Sequence, residues 1–141
     1  MRSNWHQGIT VGIAALAVTL ALPGEAQRAA GPSGVTHVIT IRAGSIEPAT
    51  LTAKPGDTVV WSNATSWNEA LILFEKGKGV SLACLAPVGF FLTPSGVYTS
   101  GLIAAGGEAS LCIVEPGTYE YRVDQIRSSR SFQYPGRIIV R

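Results

Sequence analysis

Apolar and polar side chains alternate with a period of two through most of the second half of this chain. In "VTHVITIRA", Val35 to Ala43, β-branched residues alternate with polar ones and place Val35, His37, Ile39 and Ile41 on one face, the signature of a strand. A Pro-marked kink follows, then a short strand at Thr50 to Ala53 and a turn at Lys54-Pro55-Gly56-Asp57. The pattern continues with a strong strand, Thr58 to Asn63, and resumes at Ala109 to Val114. A Glu-Pro-Gly turn leads into a strand at Thr118 to Val123, and Pro135 to Arg141 closes the chain as a final strand. "NEALILFEK", Asn68 to Lys76, is ambiguous: Glu, Ala and Leu favour a helix, but the run is short and lies between turn signals. Residues 77–108 are punctuated by Gly and Pro and read as long loops with short strands and one helical turn. Strands of this length and spacing, with no long helix, predict an all-β sandwich of two sheets. Tyr119, Tyr121 and Val123 on one strand, and Val59 and Trp61 on another, supply inward rows.

The N-terminus breaks this pattern. An early Arg2 precedes the 14-residue apolar run Ile9–Leu22, and Gly24 and Ala26 follow as small residues at signal-peptidase spacing. The run falls short of the ~20 residues of a membrane span. Residues 1–26 are therefore expected to be a signal peptide, 27–34 a loose lead-in and 35–141 a single domain. The alternative is an uncleaved N-terminal anchor. Cleavage implies a periplasmic or secreted protein with no stable membrane insertion afterwards, and it removes His6 from the mature chain.

Composition adds little beyond this. A net charge of +2, with scattered basic residues, points to no nucleic-acid partner. In an exported chain the two cysteines, Cys84 and Cys112, are expected to form a disulfide, the alternatives being buried thiols or thiolate ligands. A lone mature histidine, His37, leaves no Ser/His/Asp arrangement, so an enzyme is not expected. Gly101 to Glu108 is glycine-rich but lacks the Gly-Lys-Ser/Thr ending of a phosphate loop. The sequon Asn63-Ala64-Thr65 fits an exposed loop.

The order "ATLTAKPGDTVVWSN", "PGTYEYRV", "PGRIIV" resembles the cupredoxin family, the plastocyanin and amicyanin type of blue-copper protein, from about Val35 to Arg141. The resemblance implies a cupredoxin-like Greek-key sandwich. It also implies a copper site built from two histidines, a cysteine and an axial methionine, soft donors suited to cycling between Cu(I) and Cu(II). Transferred by motif spacing, those four positions fall on Glu69, Val123, Ile126 and Tyr134. Val123 and Ile126 bind no metal. Glu69 and Tyr134 offer only hard oxygen donors, too few for a tight site of their own. No cofactor is therefore expected, and copper remains the alternative through an unusual set of Cys84 or Cys112 with His37.

In blue-copper proteins the loops at the metal end form the docking surface. Here that end carries Trp67, Arg127, Arg130, Phe132 and Tyr134, the aromatic and arginine types enriched at binding hot spots. Phe132 and Tyr134 have a second reading, in which they fill the space left by copper and its imidazoles. The leading expectation is a copper-free binding or accessory module that contacts an exported or periplasmic protein. A periplasmic electron carrier is the alternative, and a structural subunit of an enzyme is a third.

Overall fold

The structure, a computed structural model, describes residues 34–75 and 87–141. The segment read as a signal peptide, most of the lead-in, and Cys84 lie outside the described residues. The strands are β1 (Thr36–Arg42), β2 (Ser45–Glu47), β3 (Thr50–Ala53), β4 (Thr58–Asn63), β5 (Glu69–Phe74), β6 (Phe90–Leu92), β7 (Tyr98–Ser100), β8 (Glu108–Cys112), β9 (Gly117–Arg127) and β10 (Arg130–Val140). They form a four-stranded sheet, β2-β1-β4-β8, and a six-stranded sheet, β3-β10-β9-β5-β7-β6. The parallel pairs β1–β4 and β3–β10 stitch the N-terminal segments into both sheets.

The alternating faces meet between the sheets. Ile39, Ile41, Val59, Trp61 and Leu111 from one sheet pack against Ile72, Phe74, Tyr121, Val123 and Ile138 from the other. Each fully buried aliphatic side chain of this kind contributes about 2 kcal/mol. Trp61 is the hub, edge-on to Phe74 and Tyr121 with ring centroids 6.0 and 5.5 Å away. Edge-to-face contacts suit the ring quadrupoles and add to area burial.

Local chemistry sets the turn before β4. Pro55 and Gly56 occupy the two central positions, Gly56 has φ +90°, and Asp57 N–H donates to the Lys54 carbonyl at 3.0 Å. A proline followed by a left-handed glycine is the pairing that a type II turn selects. Gly136 on β10 has a different role. It pairs with Tyr121, whose ring lies over it so closely that an added Cβ would sit 2.1 Å from the ring.

Several expectations are corrected. The ambiguous Asn68–Lys76 segment contains β5, held as a strand between β9 and β7. The stretch between Val123 and Tyr134 is no loop: β9 and β10 run on through it and join at the two-residue turn Ser128-Ser129. The Pro-marked kink contains a short strand, β2. The sequon asparagine, Asn63, is fully buried rather than exposed.

Candidate functional site

The end of the sandwich that would hold copper in the resemblance is built from the β4–β5 connection and the tip of the β9–β10 hairpin. Beneath it lies a buried polar network. Asn63, the last residue of β4, donates through Nδ2 to the carbonyls of Asn68 at 2.8 Å and Ile103 at 2.9 Å. Its Oδ1 accepts from the Thr65 hydroxyl at 2.7 Å and from Thr65 N–H at 3.2 Å. The Thr65 hydroxyl also reaches the Asn68 carbonyl at 2.9 Å. Gln125, 1% exposed, donates through Nε2 to the Arg42 carbonyl at 2.6 Å and ties the two sheets together. Buried amides of this kind are stable only when paired, so the network fixes the path of the connection.

Strand register decides where the four transferred ligand positions stand. Tyr121, Val123 and Gln125 face inward on β9, as do Ala70, Ile72 and Phe74 on β5. Val123 is paired with Tyr134 and with Ile72 and has no exposed surface. Tyr134 is half-buried and packs against the core. Glu69 and Ile126 are paired with each other and point to the opposite face of the same sheet, because side chains alternate along each strand. The four positions are thus split two and two across a sheet. A type 1 copper centre needs its donors converging on one point, and neither these residue types nor their placement fits one.

Of the alternative donors, the two described ones, His37 and Cys112, do not converge either. His37 lies at the far end of the sandwich, where its Nε2 is 2.8 Å from Asp57 Oδ2, an oxygen that also accepts from Lys54 N–H at 2.8 Å. Cys112 is buried beside Thr58 at that same end. In register, however, His37 aligns with Val59 and Leu111, one step from Thr58 and Cys112, so His37 and Cys112 face opposite sides of their sheet. Among the described residues no three His, Cys, Asp or Glu side chains come together.

The expected partner surface divides. Trp67 is 68% exposed, and the Arg127 guanidinium stands 5.5 Å from its ring centroid. This cation–π contact at an exposed site is worth about 0.5–1 kcal/mol and steadies both side chains. Phe132 is 46% exposed and Arg130 is exposed, whereas Tyr134 belongs to the packed layer. Tyr134 thus packs against the core, and Phe132 is the more exposed of the two. The residues missed from sequence are Asn63, Thr65, Asn68 and Gln125. The signal was available: a cluster of short polar residues, "SNATSWN", directly after a core strand, and a glutamine at an inward position after Tyr121 and Val123.

On the outer face of the six-stranded sheet runs an open groove of about 790 Å³, whose lining includes Leu73, Glu75, Arg122, Pro135 and Arg137. Its charges are mutually paired: Arg122 with Glu75 and Asp124, and Arg137 with Glu120. It presents no concentrated charge of one sign.

This arrangement of strands is that of the cupredoxins. Among solved structures the chain is similar to amicyanin. An oxidised methionine-to-lysine variant has a TM-score of 0.53 at 21% identity, with 81% of this chain and 89% of that one covered. The Cu(I) form of a methionine-to-alanine variant has a TM-score of 0.50 at 20% identity over the same shares. A reduced tryptophan-to-tyrosine variant has 0.50 at 19%, again over 81% and 89%. No protein-family model matches the chain. No curated protein matches it by sequence. The likeness is therefore one of fold.

Proposed function

We propose that this is an exported, cupredoxin-like module that works without a type 1 copper centre, through protein contact at the end where Trp67 and the β9–β10 tip stand. The observation that carries the proposal is the register of that end. Val123 is sealed in the core, Glu69 and Ile126 are turned to the other face, and Trp67, Arg127 and Phe132 stay exposed above a network that holds them in place. Exposed aromatics beside arginines, on a rigid base, have the chemistry of a binding hot spot. The amicyanin structures include a Cu(I) form. In this reading the fold has kept the surface and given up the ion.

Export is part of the proposal. The 1–26 segment would be cleaved, the protein would act in the periplasm or outside the cell, and Cys84 and Cys112 would be bridged. Such a bridge stabilises by roughly 3–4 kcal/mol in the chain-entropy model. Catalysis forms no part of the reading.

Metal analysis with an optical spectrum, on mature protein purified from its exported location and reloaded with copper, tests it. A colourless protein without tightly bound copper is expected. One equivalent of copper with a thiolate charge-transfer band would sink the proposal in favour of the electron carrier. Thiol counting under denaturing conditions checks the bridge separately.

A further inference from the structure

The β9–β10 hairpin extends further than its neighbours on one side. β5 covers β9 as far as Ile126, but β3 pairs with β10 only over Arg137–Val140. Among the described residues, none pairs with Arg130–Gly136 on the side away from β9. Hairpin geometry says which backbone groups face that open side. Across a two-residue turn the flanking pair, Arg127 and Arg130, is hydrogen-bonded, so even-numbered residues of β10 bond to β9 and odd-numbered ones point outward. Two observed bonds agree with this phase: Arg137 N–H donates to Ala49 at 2.8 Å and Arg141 N–H to Ala53 at 3.1 Å, both away from β9. The open edge therefore carries the N–H and C=O of Ser131 and Gln133 and the C=O of Pro135. All three residues are exposed.

We infer that a second copy of this chain pairs with this edge, β10 against β10 in antiparallel sense about a two-fold axis at Gln133. This segment is complementary to itself. The pairing sets Gln133 opposite Gln133 of the other copy, where each donates to and accepts from its equivalent. Ser131 falls opposite Pro135, where the one N–H present meets the proline carbonyl and the proline has no donor to leave unsatisfied. Four new backbone bonds form. Phe132 falls opposite Tyr134 of the other copy in a pair not bridged by hydrogen bonds, the closer of the two spacings, which favours aromatic contact. That contact would cover the exposed Phe132 ring.

Length and charge agree. The free window is bounded by the turn at one end and by β3 at the other, and the strand it accepts is the same seven-residue segment. Antiparallel pairing puts Arg130 opposite Gly136 and carries the two Arg127–Trp67 tips to opposite ends, whereas parallel addition would align like charges. The two six-stranded sheets would join into one. Addition of a strand to an exposed edge is a common mode of recognition, and an unpaired edge is a standing template for it.

The inference rests on the backbone of β10 and not on the copper-free contact surface, so the two fail separately. The test is sedimentation of the full exported protein over a concentration series, with hydrogen exchange at single-amide resolution. A monomer–dimer equilibrium is expected, with the Ser131 and Gln133 amides gaining protection as concentration rises, while Phe132 and Tyr134 amides stay protected throughout. Gln133→Pro removes only an outward N–H, as Pro135 already does, so the β9 ladder survives. It removes both central bonds of the dimer and should weaken association about 100-fold, while Gln133→Ala leaves it intact. A monomer at millimolar concentration would overturn the inference, as would a dimer indifferent to Gln133→Pro. Protection of Ser131 and Gln133 that does not depend on concentration would overturn it too, by assigning the edge to another segment of the same chain. Trp67→Ala should leave the dimer unchanged.

Discussion

The two ends of the β9–β10 hairpin are made from the same pair of strands and behave differently. At the base, Tyr121 lies over Gly136, touches Trp61 and Phe74, and is bounded by β5 on one side and by β3 near Arg137 on the other. At the tip, Arg127 to Gln133 are exposed, one edge has no neighbour among the described residues, and the aromatics near it stand against water. Packing at the base leaves almost no freedom in residue type. The tip, held in position by that base and by the Asn63 network, is free to carry chemistry. A fold of this kind can keep its base fixed while the residues at its tip vary.

The sharpest test of the base is Gly136→Ala. Its Cβ would collide with a buried ring that has nowhere to move, so urea denaturation should show a loss of about 3 kcal/mol. A loss near zero would mean that Tyr121 does not cover this glycine in solution. Next is the layer that joins base to tip. Asn63→Ala removes one of two bonds at each of the Asn68 and Ile103 carbonyls and the Thr65 hydroxyl, and strips the Thr65 N–H of its acceptor, at a cost of about 2 kcal/mol. It should also raise hydrogen exchange in residues 64–68 before it affects β9.

Burial pushes the Tyr121 phenol up to about 12, an effect that the neighbouring Trp61 N–H partly offsets, although neither polar atom has a partner of good hydrogen-bond geometry. The folded state thus binds this proton more tightly than the unfolded chain, whose tyrosine titrates at about 10. The associated stability is complete below about pH 10 and is lost as pH rises towards 12, at up to about 1.4 kcal/mol per pH unit. Tyr98 is raised in the same direction by burial, and Tyr119 by burial and then by Glu115. Tyr121→Phe should flatten part of this alkaline decline without loss of stability at neutral pH, since the buried hydroxyl has no partner to lose. Unchanged pH dependence in that variant would assign the decline elsewhere.

The smallest expected effect on stability is at the tip. Trp67→Ala should change unfolding free energy by no more than about 1 kcal/mol, the worth of its contact with Arg127, because the ring is mostly exposed. The same variant should abolish capture of a partner that uses this surface. A large stability loss would make Trp67 a packing residue and erase the contrast between tip and base.

Much of the base was legible in the chain. The period-two rows of β4 and β9, and the Pro-Gly turn before β4, are local patterns read within a few residues. The tip was not. "RSSRSF" has few β-branched residues and runs into a proline, so nothing local extends β9 beyond Val123 or starts β10 before Pro135. Pairing with β5 on one side and across a two-residue turn on the other makes it strand. Glu-Ala-Leu in β5 likewise favours helix by propensity and is overridden by two flanking strands.

The identity of the residues at positions 69, 123, 126 and 134 was visible from the start, and with it the absence of soft donors. Which face each side chain takes was not. That depends on register between segments more than fifty residues apart, which a one-residue slip would invert. Composition and alternation act along the chain and settle which segments are strands. Only pairing across the sheets decided that Val123 is sealed, that Glu69 and Ile126 lie on the opposite face, that Asn63 is spent inside, and that no described strand pairs with one edge of β10.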